Sequence, residues 1–316
     1  MREVVCEDLS LAIDDHKRAG FRLDAIYPAD DPSSAVLSRG DDRVRLTTAD
    51  APPLPARLPQ FRPEFLVTQA GATAGQGRAG MLYRDLIPGR LGGRYIASHI
   101  AIPGGGPVAD WVHYHRVALQ LIYVRRGWAR VVYEDQGEPF VLNEGDLVLQ
   151  PPLIRHRVLE SSAGLEVVEI SAPALHETFA DHDLELPNGR NPERIYGGQR
   201  FLHHVAADTP WTPANGGEAQ ETEIKVATSG LAEARTLRPL RGEALTFGGR
   251  RGELVFGFVL DGSATLDHRG MHEVAPADVR HPAGQGLEAE ASLARLPPAP
   301  CDDHRARLDN ESSPRA

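Results

Sequence analysis

The stretch HYHRVALQ, His113 to Gln120, decides how this chain is read. His113 and His115 are two residues apart, so on a β-strand both side chains leave from one face, while Tyr114 leaves from the other and is expected to pack. In QLIYV, Gln120, Ile122 and Val124 share a face, and Gly127 ends the strand seven residues after Gln120. Downstream, Gly145 opens GDLVLQPPLIRH; Pro151 follows after five intervening residues, and His156 stands five beyond that proline. A divalent transition metal needs imidazole nitrogens converging at roughly 2.0–2.2 Å from rigid neighbours. One histidine alone reads as a satisfied polar residue on a strand. Three at these intervals read as one centre.

The intervals resemble the two signature motifs of the cupin superfamily. The first, HxH, four residues, Glu, six residues, Gly, is met by His113, His115, Gln120 and Gly127, with glutamine in the glutamate place. The second, Gly, five residues, Pro-x-Gly, two residues, His, is met by Gly145, Pro151 and His156, with Leu153 in the glycine place and Glu160 where asparagine is common. The resemblance implies a double-sheet jelly roll. It also implies a metal site of His113, His115, Gln120 and His156, in which Gln120 either ligates or hydrogen-bonds a ligand or water. A neutral amide in place of a carboxylate leaves more of the metal's charge uncancelled, which favours an anionic chelating substrate. In this the chain resembles the three-histidine cupin oxygenases that cleave carbon–carbon bonds of diketone-like substrates. The expected function is a mononuclear non-haem dioxygenase, an oxidoreductase acting on a small diketone, hydroxyketone or phenolic substrate. Fe2+ is the first expected metal, followed by Zn2+, Mn2+ or Ni2+. A metal-dependent isomerase or lyase and a non-catalytic small-molecule binder are the alternatives.

Around this centre the expected fold class is mainly β: two cupin jelly-roll barrels preceded by a small βαβββ module. In residues 1–50 a short strand, VVC, precedes LSLAIDDHKRAGF, where Leu9, Ala12, Ile13, His16 and Gly20 fall roughly on one helical face. Three short strands follow: FRLDAIYPADD, SAVLSRG and DRVRLTT. This order resembles a single half-module of the glyoxalase and extradiol dioxygenase (VOC) superfamily. It lacks the His/Glu pair of that superfamily and is expected to serve as a structural or dimerising cap. Five prolines make residues 51–64 a linker. Residues 65–176 form the expected metal-binding barrel, 177–219 a polar connector, 220–298 a second barrel and 299–316 a disordered tail.

In the second barrel GELVFGFVLDGSATLDHRG repeats the design of LQLIYVRRGWARVVYEDQG. Counting back from Gly262 puts Val255 in the Gln120 place, with Gly248 and Arg250 in the histidine places. Pro282 to Gly284 keep the Pro-x-Gly turn, and Leu287 falls where the histidine belongs. His281 is the one remaining candidate ligand there. The second barrel is therefore expected to be retained for structure.

Beside the first motif, Gln150, Arg84 and Arg94 are candidate substrate-binding residues, the arginines because guanidinium pairs with carboxylate in a planar fork. Arg90 belongs to the same segment. His176, Asp181, His182, His203 and His204 read as surface residues. The 34 basic against 44 acidic residues, formally −10, disfavour nucleic acid and anionic membrane as partners and favour a small-molecule or protein partner; a small-molecule substrate and a homodimer are expected. No apolar run approaches the roughly 20 residues of a membrane span, and MREVVCEDLS lacks a signal-peptide core, so a cytoplasmic protein is expected. Cys6 and Cys301 are expected to be free thiols.

Overall fold

The computed structural model describes residues 1–69, 71, 75–76, 81–214, 216–240, 252–268, 271–276 and 287–293. The chain is mainly β, with jelly-roll-like sheets. At the N-terminus come strand Arg2–Val5, helix Leu9–Arg18, and strands Arg22–Tyr27, Ser34–Arg39 and Asp42–Thr47. The helix starts where the Asp8 side chain accepts from the Leu11 N–H at 2.9 Å. It carries His16, Lys17 and Arg18 in its last turn, where the helix dipole favours positive charge. Leu9, Ala12 and Ile13 pack onto Phe21, Ile26, Ala35, Leu37, Val44 and Leu46.

Strand Arg2–Val5 lies parallel to Asp42–Thr47, and the order continues through Ser34–Arg39 to Arg22–Tyr27. The sheet does not end there. Arg22–Tyr27 pairs with Thr178–Ala180, which pairs with His113–His115. The sheet then runs on through His156–Ser161, Trp128–Tyr133 and Phe140–Asn143, with Gly106–Pro107 beside His156–Ser161. The N-terminal module is therefore joined edge to edge with the barrel. The opposing sheet orders Leu202–His204, Leu147–Leu149, Leu119–Arg126, Leu165–Ala172, Ile96–Ile102, Leu82–Asp85 and Gly75–Gln76. Between the two sheets lie Val124, Val131, Tyr133, Val148, Ile154, Leu165 and Phe201.

Segment 177–219 is more than a connector, because it lends Thr178–Ala180 to one sheet and Leu202–His204 to the other. Strands of three residues carry too little alternation to be recognised. Residues 51–64 form neither helix nor strand yet are held against their neighbours: Tyr27 Oη donates to the Pro53 carbonyl at 2.9 Å, and the Arg62 N–H to that of Leu91 at 3.0 Å. Gly92, at φ 81°, permits this approach, since a Cβ there would lie 2.7 Å from the Gln60 carbonyl oxygen.

Beyond the first unit, Thr212–Ala214, Gly217–Glu221, Ala232–Pro239, Leu287–Leu293 and Leu254–Asp261 form a five-stranded sheet in that order, and Ser263–His268 pairs with Met271–Pro276. Ala234, Leu254, Phe256 and Phe258 pack with Ala97, Leu119, Leu121, Val168 and Ile170 of the first unit. The seam also holds Arg94, which pairs with Glu253 through Nε and Nη2 at 2.9 Å each. Gly248, Arg250, His281, the turn 282–284, Cys301 and the tail 299–316 lie outside the described residues. Cys6 is a free thiol. No helix among the described residues is long and apolar enough to cross a membrane.

Candidate metal centre

Cross-strand register brings the histidines together. His113 stands opposite His156 on one side of its strand, and on the other side Thr178 stands opposite His115. Opposed residues on antiparallel strands have Cβ atoms about 4.5–5.5 Å apart, close enough for two rings to address one point. One ring nitrogen of each of His113, His115 and His156 lies within 4.8 Å of the others, and all three residues are buried.

Each ring is tied from behind. His113 Nδ1 lies 2.8 Å from the Trp111 carbonyl oxygen, His156 Nδ1 lies 3.1 Å from that of Ile154, and His115 Nδ1 lies 2.9 Å from Thr178 Oγ1. A carbonyl can only accept, so His113 and His156 carry their proton on Nδ1 and turn the Nε2 lone pair toward the shared point. Partners of this kind orient metal-binding imidazoles and raise their basicity. Asp110 adds negative charge behind His113, with Oδ1 3.5 Å from Nδ1, and is itself fixed by the Val158 N–H at 2.9 Å. The donor set fits a divalent transition metal.

The turn that presents His156 has a leucine, Leu153, at a left-handed position that favours glycine. Leu153 adopts φ 64°, a left-handed conformation that costs an ordinary residue about 1–2 kcal/mol. Its N–H donates to the His115 carbonyl at 3.2 Å, so the turn carrying the third histidine is pinned to the strand carrying the second. Gly127 closes its own turn at φ 78°, where a Cβ would lie 2.3 Å from Ser162 Oγ.

Gln120 points into the barrel, and both ends of its amide are engaged. Nε2 donates to Glu169 Oε1 at 3.0 Å, and Oε1 accepts from Gln150 Nε2 at 2.8 Å. Gln150 Nε2 also lies 3.2 Å from His156 Nε2, and Gln150 Oε1 accepts from Tyr133 Oη at 2.8 Å. Burial and the Glu169 carboxylate push the Tyr133 hydroxyl above its ordinary pKa, which keeps it a donor. Ser171 Oγ also donates to Glu169 Oε1, at 2.9 Å.

Glu169 was missed in the sequence. It lies on Leu165–Ala172, opposite Ile122, and so faces inward with Gln120, which stands opposite Ser171. A glutamate between Val168 and Ile170, both packed into the seam, was the available signal. The clustered ligand set itself remains three imidazoles, with the Glu169 carboxylate held beside it by the Gln120 amide and Ser171 Oγ.

Other expectations also change. Arg84 stands opposite His99, whose ring stacks on Phe258 at 6.1 Å, so Arg84 is on the outer face of its sheet, turned from the histidines. It donates to the Gln69 carbonyl at 3.3 Å. Arg94 is committed to Glu253, and Arg90 to Asp30 at 2.8 Å and Asp85 at 3.1 Å. These arginines join parts of the fold and do not form an anion site. His176 is buried, with its ring centroid 5.7 Å from that of His115 and its Nδ1 2.9 Å from the Pro173 carbonyl oxygen; burial holds its pKa below the ordinary histidine value. It is not the surface residue its polar surroundings suggested, because the chain doubles back into Thr178–Ala180. His204 is likewise buried at the seam, and His203 Nε2 lies 3.1 Å from Asp146 Oδ2. Asp181 pairs with Arg155 at 3.0 Å, and His182 Nε2 lies 2.9 Å from the Leu23 carbonyl oxygen. Tyr114 is buried and stacks on Phe179 at 5.2 Å, as its opposite facing requires.

No curated protein matches the chain. Among solved structures, a variant of B. subtilis oxalate decarboxylase is 11% identical, with 87% of this chain and 94% of that one covered, at a TM-score of 0.47. The Lactobacillus farciminis oxalate decarboxylase formate complex is 12% identical, with 73% and 88% covered, at a TM-score of 0.42. Residues 98–171, which include all three clustered histidines together with Gln120, Gln150 and Glu169, match the family model of the cupin domain.

Proposed function

We propose that His113, His115 and His156 hold one divalent transition metal in an enzyme centre that acts as a dioxygenase on a small oxygen-chelating anion. The observation that carries this reading is the set of three buried imidazoles, each tied at Nδ1 and converging within 4.8 Å. Three neutral protein ligands leave coordination positions open, as catalytic sites do and closed structural sites do not. When bound, the metal would stabilise a chelating enolate or phenolate as a Lewis acid and give dioxygen a neighbouring position. The chain's own contribution is orientation and exclusion of water: Trp111, Ile154 and Thr178 fix the rings, and Val131, Ile154 and Phe201 form part of the apolar interior. Fe2+ is the metal this reading favours, with Zn2+, Mn2+ and Ni2+ next.

A lyase or isomerase acting on the same kind of anion would use the same ligands without consuming oxygen. Metal analysis of the purified protein tests the centre: stoichiometric metal is expected, with affinity falling by more than about 100-fold in His113→Ala, beyond the usual loss from a partner behind a ligand. Absence of metal from both proteins would refute the centre. Oxygen uptake by the iron-loaded protein with 1,3-diketones, α-hydroxyketones and flavonols tests the reaction. Turnover of any of these without uptake would move the assignment to lyase or isomerase.

A further inference from the structure

We infer that Gln150 is the specificity-determining donor of this centre: its side-chain N–H, aimed at the point shared by the three histidines, selects ligands that place a deprotonated oxygen there. The inference rests on the metal-centre reading above and adds to it which ligand form the centre prefers.

The direction of the Gln150 amide is imposed from outside. The Glu169 carboxylate accepts, so the NH2 of Gln120 faces it and the carbonyl of Gln120 faces Gln150. That carbonyl takes one N–H of Gln150 at 2.8 Å, while Tyr133 Oη donates to Gln150 Oε1 at 2.8 Å. With both ends fixed, the remaining N–H of Gln150 is directed at His156 Nε2, 3.2 Å away. That nitrogen lone pair is the one a metal would take. Metal binding thus deprives a fully buried N–H of its acceptor, and a buried donor left unpaired is costly. A ligand oxygen seated beside His156 replaces the lost acceptor. An enolate, phenolate or carboxylate oxygen accepts more strongly than a neutral carbonyl or hydroxyl, so the anionic form gains most. Glu169 and Gln120 act through Gln150 and are positioning residues.

The test separates metal affinity from anion affinity. Zn2+ affinity is measured by competition with a chromophoric chelator. Binding of 2,4-pentanedione to the Zn2+-loaded protein is then followed by calorimetry as a function of pH. In Gln150→Leu, Zn2+ affinity is expected to stay level or rise up to a few-fold, since the competing hydrogen bond to His156 is gone. Affinity for the diketone is expected to fall about tenfold, equivalent to about 1.4 kcal/mol. Glu169→Gln, which keeps Gln150 in place, is expected to lose about threefold in diketone affinity with Zn2+ affinity unchanged. This second variant keeps the test valid if the Gln150→Leu substitution disturbs folding. Zn2+ retained by both variants with wild-type diketone affinity overturns the role of Gln150 and leaves the centre standing. Failure of the wild-type protein to bind Zn2+, or any of the other metals, overturns the centre itself and the donor with it.

Discussion

Strands Leu119–Arg126 and Leu254–Asp261 face one another across the seam between the two units and use their alternation differently. Each sends every second residue to the seam: Leu119, Leu121 and Tyr123 from the first, Leu254, Phe256 and Phe258 from the second. On its other face the first strand presents Gln120 to the barrel interior, buried and bonded at both ends. The second strand presents Val255 at the corresponding place, and it is 53% exposed. One face of a strand can thus be held by packing while the opposite face gains or lacks chemistry, because period-two alternation makes the two faces nearly independent.

The sharpest way to break this independence is to attack the shared face. Phe256→Ala should destabilise the chain by about 3 kcal/mol, the cost of removing a buried aromatic side chain, as measured by urea unfolding. Metal bound per folded molecule should not change; loss of metal would show that the seam and the cavity are one unit. A smaller effect comes from the cavity side. Thr178→Val removes the Nδ1 partner of His115 with little change of volume, and metal affinity by chelator competition should fall about tenfold with the urea midpoint nearly unmoved. The smallest effect is in pH. His204 lies at the seam, beside Asp146 and His203; burial lowers its pKa from the ordinary histidine value despite the Asp146 carboxylate, which raises it. The unfolded chain therefore takes up a proton near pH 6.5 that the folded chain refuses, and stability should decline as pH falls from about 6.5 toward the depressed folded value. His204→Gln should flatten that decline in thermal unfolding followed from pH 7.5 to 5.5. An unchanged slope would place the pH sensitivity elsewhere.

The histidines were legible because their spacing is local: same-face placement needs two residues, and Gly145, Pro151 and His156 follow within one short crossing from the opposing sheet to the sheet of His113–His115. Gln120 was legible as a departure, but its meaning was not. That meaning depends on Glu169, which reaches it only through the pairing of Leu119–Arg126 with Leu165–Ala172, two strands separated in the chain by four others. Thr178 was hidden for a related reason. It lies in a three-residue strand with too little pattern to announce itself, and it matters only because it stands opposite His115. Arg84 and Arg94 misled because a charged residue near a motif carries no sign of which face it occupies; Glu253, the partner of Arg94, is 159 residues away. Leu153 shows the reverse: a non-glycine residue holds a left-handed backbone conformation, and its N–H is tied to the His115 carbonyl, which no local pattern in the sequence announces.

The sheet shared by the N-terminal module and the barrel has a consequence for how the chain tolerates shortening. Thr178–Ala180 is sealed on one side by Arg22–Tyr27 and on the other by His113–His115. Without the first fifty residues it would become an unprotected sheet edge, with bare N–H and C=O groups one strand away from the histidines, open to pairing with any other chain. The pairing of Arg22–Tyr27 with Thr178–Ala180 thus covers the backbone edge nearest the histidines.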